Sequence, residues 1–180
     1  FLVDLAKLIA EHPEPEARAA AVEVVAQAEN IGGNYGIGVA TALLRRDPSE
    51  EVAQAALAAL RRLWKHGDPD AVSVLIRLVS PGNARARDPL LRCVALNDLA
   101  HLAQRGDAAA LAAAAGALDD EDGSVRMAAV QAMKQLTVRG DVEAAGVLLS
   151  YTSHPDADVR RLVIEVLGYV ASPKDQQVLS

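Results

Sequence analysis

The stretch Asp156-Ala157-Asp158-Val159-Arg160-Arg161-Leu162-Val163-Ile164-Glu165-Val166-Leu167-Gly168 decides how this chain folds. From Val159, apolar residues recur at +4, +7, +8 and +11, as Val163, Val166, Leu167 and Val170. That spacing is one stripe of a 3.6-residue helix. Asp156 stands three positions before the stripe. There a carboxylate accepts hydrogen bonds from the free N–H groups of a first helical turn.

The same pattern recurs upstream. The second copy is Val52, Ala56, Ala59, Leu60 and Leu63, and the fourth is Val125, Ala129, Ala132, Met133 and Leu136. The third keeps Leu91, Ala95, Leu99 and Leu102 but places Asp98 in the +7 slot, which reads as a stripe edge turned to solvent or a local specialisation. Glu14, Ser49, Asp88 and Asp122 stand where Asp156 does, and Pro15 and Pro89 follow two of them. Proline is tolerated at a first helical position, whose N–H has no partner within the helix. Fifteen positions after Ala17, Val52, Leu91 and Val125 come the turns Gly32-Gly33-Asn34, Gly67-Asp68-Pro69, Gly106-Asp107-Ala108 and Gly140-Asp141-Val142. Lys174-Asp175 holds that place after Val159. The glycines end the first helices, and Asp68, Asp107, Asp141 and Asp175 can cap the second, shorter ones.

The second helices carry their own stripes, such as Ala71, Val72, Leu75, Ile76 and Leu78, or Ala110, Leu111, Ala114, Ala115 and Ala117. The pattern predicts helices near residues 15–29, 35–46, 50–65, 69–79, 89–104, 108–118, 124–138, 142–152 and 157–171, and no strand. One hairpin cannot bury its stripe alone, whereas stacked neighbours can. The fold class is therefore all-α: about four full helical hairpins at 14–46, 49–80, 88–118 and 122–152, with partial repeats at 1–10 and 156–180. The composition agrees, because 51% of residues are apolar but only 3% aromatic, a core of Ala, Leu and Val suited to closely layered helices.

The pattern Asp156-x-Asp158-Val159-Arg160-x-x-Val163-x-x-Val166-Leu167-Gly168, echoed by Asp122-Gly123-Ser124-Val125-Arg126, resembles the short HEAT-like repeats first noted in phycobilisome lyase subunits. The resemblance implies a right-handed α-α superhelix, an armadillo-like solenoid. It also implies that the recurrent arginine (Arg18, Arg92, Arg126, Arg160) and the turn aspartate tie neighbouring repeats together, with Ala53 marking a weaker junction. It is specific for fold and nearly silent about function.

Few residues invite chemistry. Gly32-Gly33-Asn34-Tyr35-Gly36-Ile37-Gly38 resembles a phosphate loop but lacks a following Gly-Lys-Ser/Thr, and reads as a turn and a thinned helix. His12 and His154 precede prolines in equivalent loops and read as turn residues; no His or Cys spacing fits zinc. Cys93, the only cysteine, sits beside a stripe and reads as an inert thiol. Asp119-Asp120-Glu121-Asp122 lacks the glycine and distal glutamate of a calcium loop, and reads as a solvated loop ending in a cap. Trp64 either seals the second repeat or stands exposed as an anchor. No catalytic, metal or cofactor residue is assigned.

The first functional reading is a non-catalytic scaffold that presents a concave surface of second helices to a helix or extended segment of a protein. Its candidate residues are Tyr35, Val39, Asp70, Val74, Arg77, Glu143 and Val147, with Ala42, Ala109, Ala112, Ala113 and Ser150 beside them. Arg85 and Arg87 join them from the 81–88 insertion, which reads equally as a binding edge or as tolerated loop growth. The alternative is a subunit, catalytic or not, of a bilin-handling lyase complex, resting on the resemblance alone. Nucleic-acid binding ranks third, since the chain carries a net charge of −6 and its mapped surface mixes Arg77 with Asp70 and Glu143. No apolar stretch reaches membrane-span length. Phe1–Ala10 enters the register inside a second helix and the last second helix begins at Asp175. The expectation is a segment of a longer array, or ends covered by a neighbouring subunit.

Overall fold

The structure, a computed structural model, describes residues 11–27, 34–80 and 88–171. Among them are nine α-helices and no strand. They are α1 (Pro15–Gln27), α2 (Asn34–Arg46), α3 (Glu50–Leu63), α4 (Pro69–Val79), α5 (Pro89–Leu102), α6 (Ala108–Gly116), α7 (Gly123–Leu136), α8 (Val142–Ser150) and α9 (Ala157–Val170). Short 3₁₀ turns at Ala117–Asp119 and Tyr151–Ser153 extend α6 and α8. Described helix ends fall within two residues of the sequence expectation, save where α1 runs to the edge of the described residues.

Capping follows the sequence. Ser49, Asp88, Asp122 and Asp156 accept backbone N–H groups at the starts of α3, α5, α7 and α9. Asp68, Asp107 and Asp141 do so for α4, α6 and α8. Pro69 and Pro89 occupy first-turn positions.

The chain divides into two compact units, residues 1–65 and 66–180. In the first unit α1, α2 and α3 pack on one another. Val22, Leu44, Val52, Ala56, Leu57, Ala59 and Leu60 are at most 1% exposed. Trp64, the C-cap of α3, is buried rather than presented. In the second unit the first helices α5, α7 and α9 pack in succession, and so do the second helices α4, α6 and α8. Leu75, Leu91, Leu96, Leu99, Leu118, Met133, Leu136 and Val163 fill that core. Burying such a side chain fully stabilises the fold by about 1.5–3 kcal/mol.

Asp98 corrects one expectation: it is 5% exposed and faces inward. The +7 slot belongs to the centre of the stripe, and the flanking Ala95 and Leu99 are wholly buried, so the helix is not rotated to free it.

Candidate functional site

Two sets of contacts order successive repeats, and a surface is built on them. At the loop edge the recurrent arginine works as a double clamp. Arg126 Nη1 donates to the carbonyls of Asp120 and Glu121 in its own loop, while its Nε donates to Asp156 Oδ2 of the next repeat at 3.0 Å. In the first unit Arg18 does the same, with Nη1 on His12 and Pro13 carbonyls and Nε and Nη2 on Asp47 at 2.6 and 2.9 Å. Arg92 donates to Asp120 Oδ1 at 2.8 Å. These hydrogen bonds raise the Arg18 and Arg92 guanidiniums further above their ordinary value. Arg160 holds the His154 and Pro155 carbonyls.

The arginine's partner is therefore not the turn aspartate that the family resemblance implied. Asp68, Asp107 and Asp141 are occupied in capping their own helices. The partner lies in the loop before the next first helix. Asp47 and Asp120 stand two positions before the N-cap and also accept the N–H of Ser49 and Asp122. Sequence reading overlooked them, although an aspartate recurring at one register position was the available signal. His12 and His154 hold that same position, and each ring Nδ1 accepts the N–H of the capping residue, Glu14 or Asp156, at 3.1 Å. The turn-residue reading of both histidines is thus given a geometry.

At the turn edge the tie is made by glycine. Gly67, Gly106 and Gly140 have φ near +80° and donate their N–H to the carbonyls of Leu102, Leu136 and Val170 at 2.7, 2.7 and 2.8 Å. Those carbonyls end the first helix of the following repeat, where no intrahelical N–H is left to reach them. Left-handed φ is what allows the turn N–H to point outward, and glycine adopts it without steric cost.

The second helices carry most of the expected partner surface. In the second unit α4, α6 and α8 lie in order, with Asp70, Ser73 and Arg77, then Ala109 and Ala112, then Glu143, Gly146, Val147 and Ser150 exposed. Ala113 is half-buried. Arg77 folds back on Ser73, donating to its carbonyl and hydroxyl oxygens. Val74 is a correction: it is 6% exposed and belongs to the core. Helix α4 buries Ala71, Val72, Val74, Leu75, Leu78 and Val79, a stripe wider than the one read from sequence. In the first unit Val39 is half-buried and Ala42 exposed, while Tyr35 is in the first turn of α2. Arg85 and Arg87 lie outside the described residues, as do the first glycines of the phosphate-loop-like run.

Among the described residues no three His, Cys, Asp or Glu side chains are grouped to hold a metal ion. Burial pushes the half-buried Cys93 thiol up, away from the reactive thiolate. The acidic run is structural: Asp120 meets Arg92, and Asp122 is held below the usual carboxylate range, foremost by the Ser124 N–H. Asp119 accepts the Tyr151 hydroxyl at 3.1 Å and sits 3.5 Å from His154 Nε2. A recess lined by Asp122, Ser124, Arg126, Met127 and Asp156 is occupied by these same caps and pairs. No helix is long and apolar enough to cross a membrane, among the described residues.

Comparison with known proteins agrees with the repeat geometry. The sequence profile of HEAT repeats matches residues 2–88. No curated protein matches the chain. Among solved structures, a designed armadillo repeat protein in complex with the peptide (KR)4 is 20% identical, with a TM-score of 0.57 over 94% of this chain and 81% of that one. An engineered protein solved by a structural genomics consortium is 18% identical, with a TM-score of 0.54 over 95% and 79% of the two chains. Residues 2–88 thus match HEAT repeats, and the fold is an all-α repeat fold of the armadillo and HEAT kind.

Proposed function

We propose that this chain is a non-catalytic scaffold whose second helices receive an extended segment or helix of a protein partner. The observation that carries the reading is the exposed face of α4, α6 and α8. Its middle is made of Ala109, Ala112 and Gly146, small enough for a partner backbone to approach closely. Asp70, Arg77 and Glu143 flank that floor with polar groups able to set register, and Val147 adds apolar area. The designed armadillo neighbour, a repeat protein of the same fold, holds a peptide, which supports this mode of use.

The test is affinity capture from the native source with the chain and with its Ala112→Arg variant. Ala112 is exposed, so a bulky cation there leaves the core intact and obstructs the middle of the face. Reproducible protein partners lost in the variant are the expected result. Capture of no protein, or of the same set by both chains, overturns the reading.

A further inference from the structure

The turn edge of the second unit carries basic side chains that the scaffold reading does not use. His66, Arg105 and Arg139 each precede one of the left-handed glycines, so the solenoid places them at one register position of successive repeats. Two of them meet at one side chain. Arg105 Nη2 donates to the Tyr169 hydroxyl oxygen at 3.3 Å, and its Nε donates to the Gln135 carbonyl at 3.0 Å. The Arg139 guanidinium lies over the Tyr169 ring, 5.1 Å from its centroid. Both arginines are exposed and the tyrosine is half-buried.

Neither arginine of this pair meets a carboxylate among the described residues. Arg92, Arg126, Lys134 and Arg161 of the same unit each have an acidic partner. Among the described residues neither Arg105 nor Arg139 is in an ion pair, in a chain with six more acids than bases. The acids of the two turns, Asp107 and Asp141, have their Oδ1 atoms committed to the N–H groups of α6 and α8. The ring contact of Arg139 is an attraction to the face of the π-system and engages no carboxylate. Arg105 keeps Nη1, and the Tyr169 hydroxyl, already accepting, keeps its own proton to donate. Two guanidiniums and a phenol O–H thus share one stretch of surface, and the proximity of two like charges is relieved by an anion.

We propose that Arg105, Arg139 and Tyr169 form a recognition site for carboxylates of an acidic protein segment. Guanidinium forks match carboxylate geometry, and the exposed Val138 beside Arg139 offers apolar contact to the stem of a glutamate. A nucleic acid fits less well. Its affinity depends on many phosphate contacts, whereas this site has two arginines.

The experiment uses the full chain and fluorescein-labelled hexaglutamate, read by anisotropy at low salt. Saturable binding is expected, weakened about tenfold by Arg139→Gln and again by Arg105→Gln, the loss of a charge-assisted hydrogen bond in each case. Arg139 is exposed and the contact described for it is with the Tyr169 ring, so Arg139→Gln changes the melting temperature little and the tenfold loss is one of recognition. Tyr169→Phe weakens binding less, because only a neutral donor is removed. No binding of hexaglutamate, or binding indifferent to Arg139→Gln, overturns the proposal. So does a single-stranded oligonucleotide that binds more tightly than hexaglutamate and shows the same sensitivity to the variants.

Discussion

The junctions α5–α7 and α7–α9 occupy successive places in the second unit and are built to one plan, yet their chemistry differs. At the first, Arg92 and Asp120 meet with side chains 9% and 14% exposed. At the second, Arg126 and Asp156 are 21% and 25% exposed. The loop position two before the cap is Asp120 in one and His154 in the other. With an imidazole there in place of a carboxylate, Arg126 turns to the capping carboxylate itself, and Asp156 serves both the arginine and the α9 N–H groups. The glycine ties at the opposite edge are nearly identical, at 2.7 and 2.8 Å. The repeat geometry is held by the backbone, and the side chains at the loop edge are free to vary in kind and in exposure.

The largest effect comes from a change that abolishes the comparison. Leu99 is 0% exposed, and Leu99→Asp buries an unpaired carboxylate against α7. It should leave no cooperative thermal transition for this unit, measured by circular dichroism, whereas the exposed Arg61→Ala in the first unit should melt almost as the parent does.

Breaking the two clamps in turn sharpens the contrast. Arg92→Ala strands a shielded Asp120 and should cost about 2–3 kcal/mol in chemical denaturation. Arg126→Ala, at the more open junction, should cost less. Equal losses would show that exposure does not rank the two.

Next come the glycines. Gly106→Ala combines a φ of +83° with a Cβ 3.2 Å from Val138 Cγ2, so a branched side chain must shift as well as the backbone strain. Gly140→Ala has a φ of +78° and nothing within 4 Å. Both should destabilise by about 1 kcal/mol from conformation alone, with Gly106→Ala the worse of the two.

The smallest effect is in pH. Asp156 is held below the usual carboxylate range, foremost by its hydrogen bond to Arg126. A carboxylate lowered by folding stabilises the folded state above its unfolded value, and that contribution is lost as pH falls through the lowered folded value. Acid titration of the parent chain should therefore show a loss of stability below the ordinary aspartate range that is reduced in Asp156→Asn.

Most of the fold was legible because period and punctuation agree. The stripe beginning at Val159 and the caps at Asp122 and Asp156 depend on residues adjacent in sequence, and such patterns survive without tertiary knowledge. The arginine partners were not legible, since Arg18 and Asp47 are 29 positions apart and only packing brings them together. Asp98 was misread for a related reason, because a polar residue inside an apolar stripe cannot report from sequence whether a partner waits inside. The surface of α4 was partly legible: Asp70 and Arg77 face outward as their helical phase required. Val74 lies at the stripe's margin, and whether a margin is covered depends on the neighbouring helices. Tyr169 and its two arginines were invisible, since Arg105 and Tyr169 are 64 positions apart.

The glycine ties also have a consequence for dynamics. The amides of Gly67, Gly106 and Gly140 belong to turns, where exchange with solvent deuterium is ordinarily fast. Each is instead protected by a carbonyl of the next repeat, so it exchanges only when those two repeats part. Their individual exchange rates in heavy water time the opening of each junction separately, a built-in clock for how the second unit unzips.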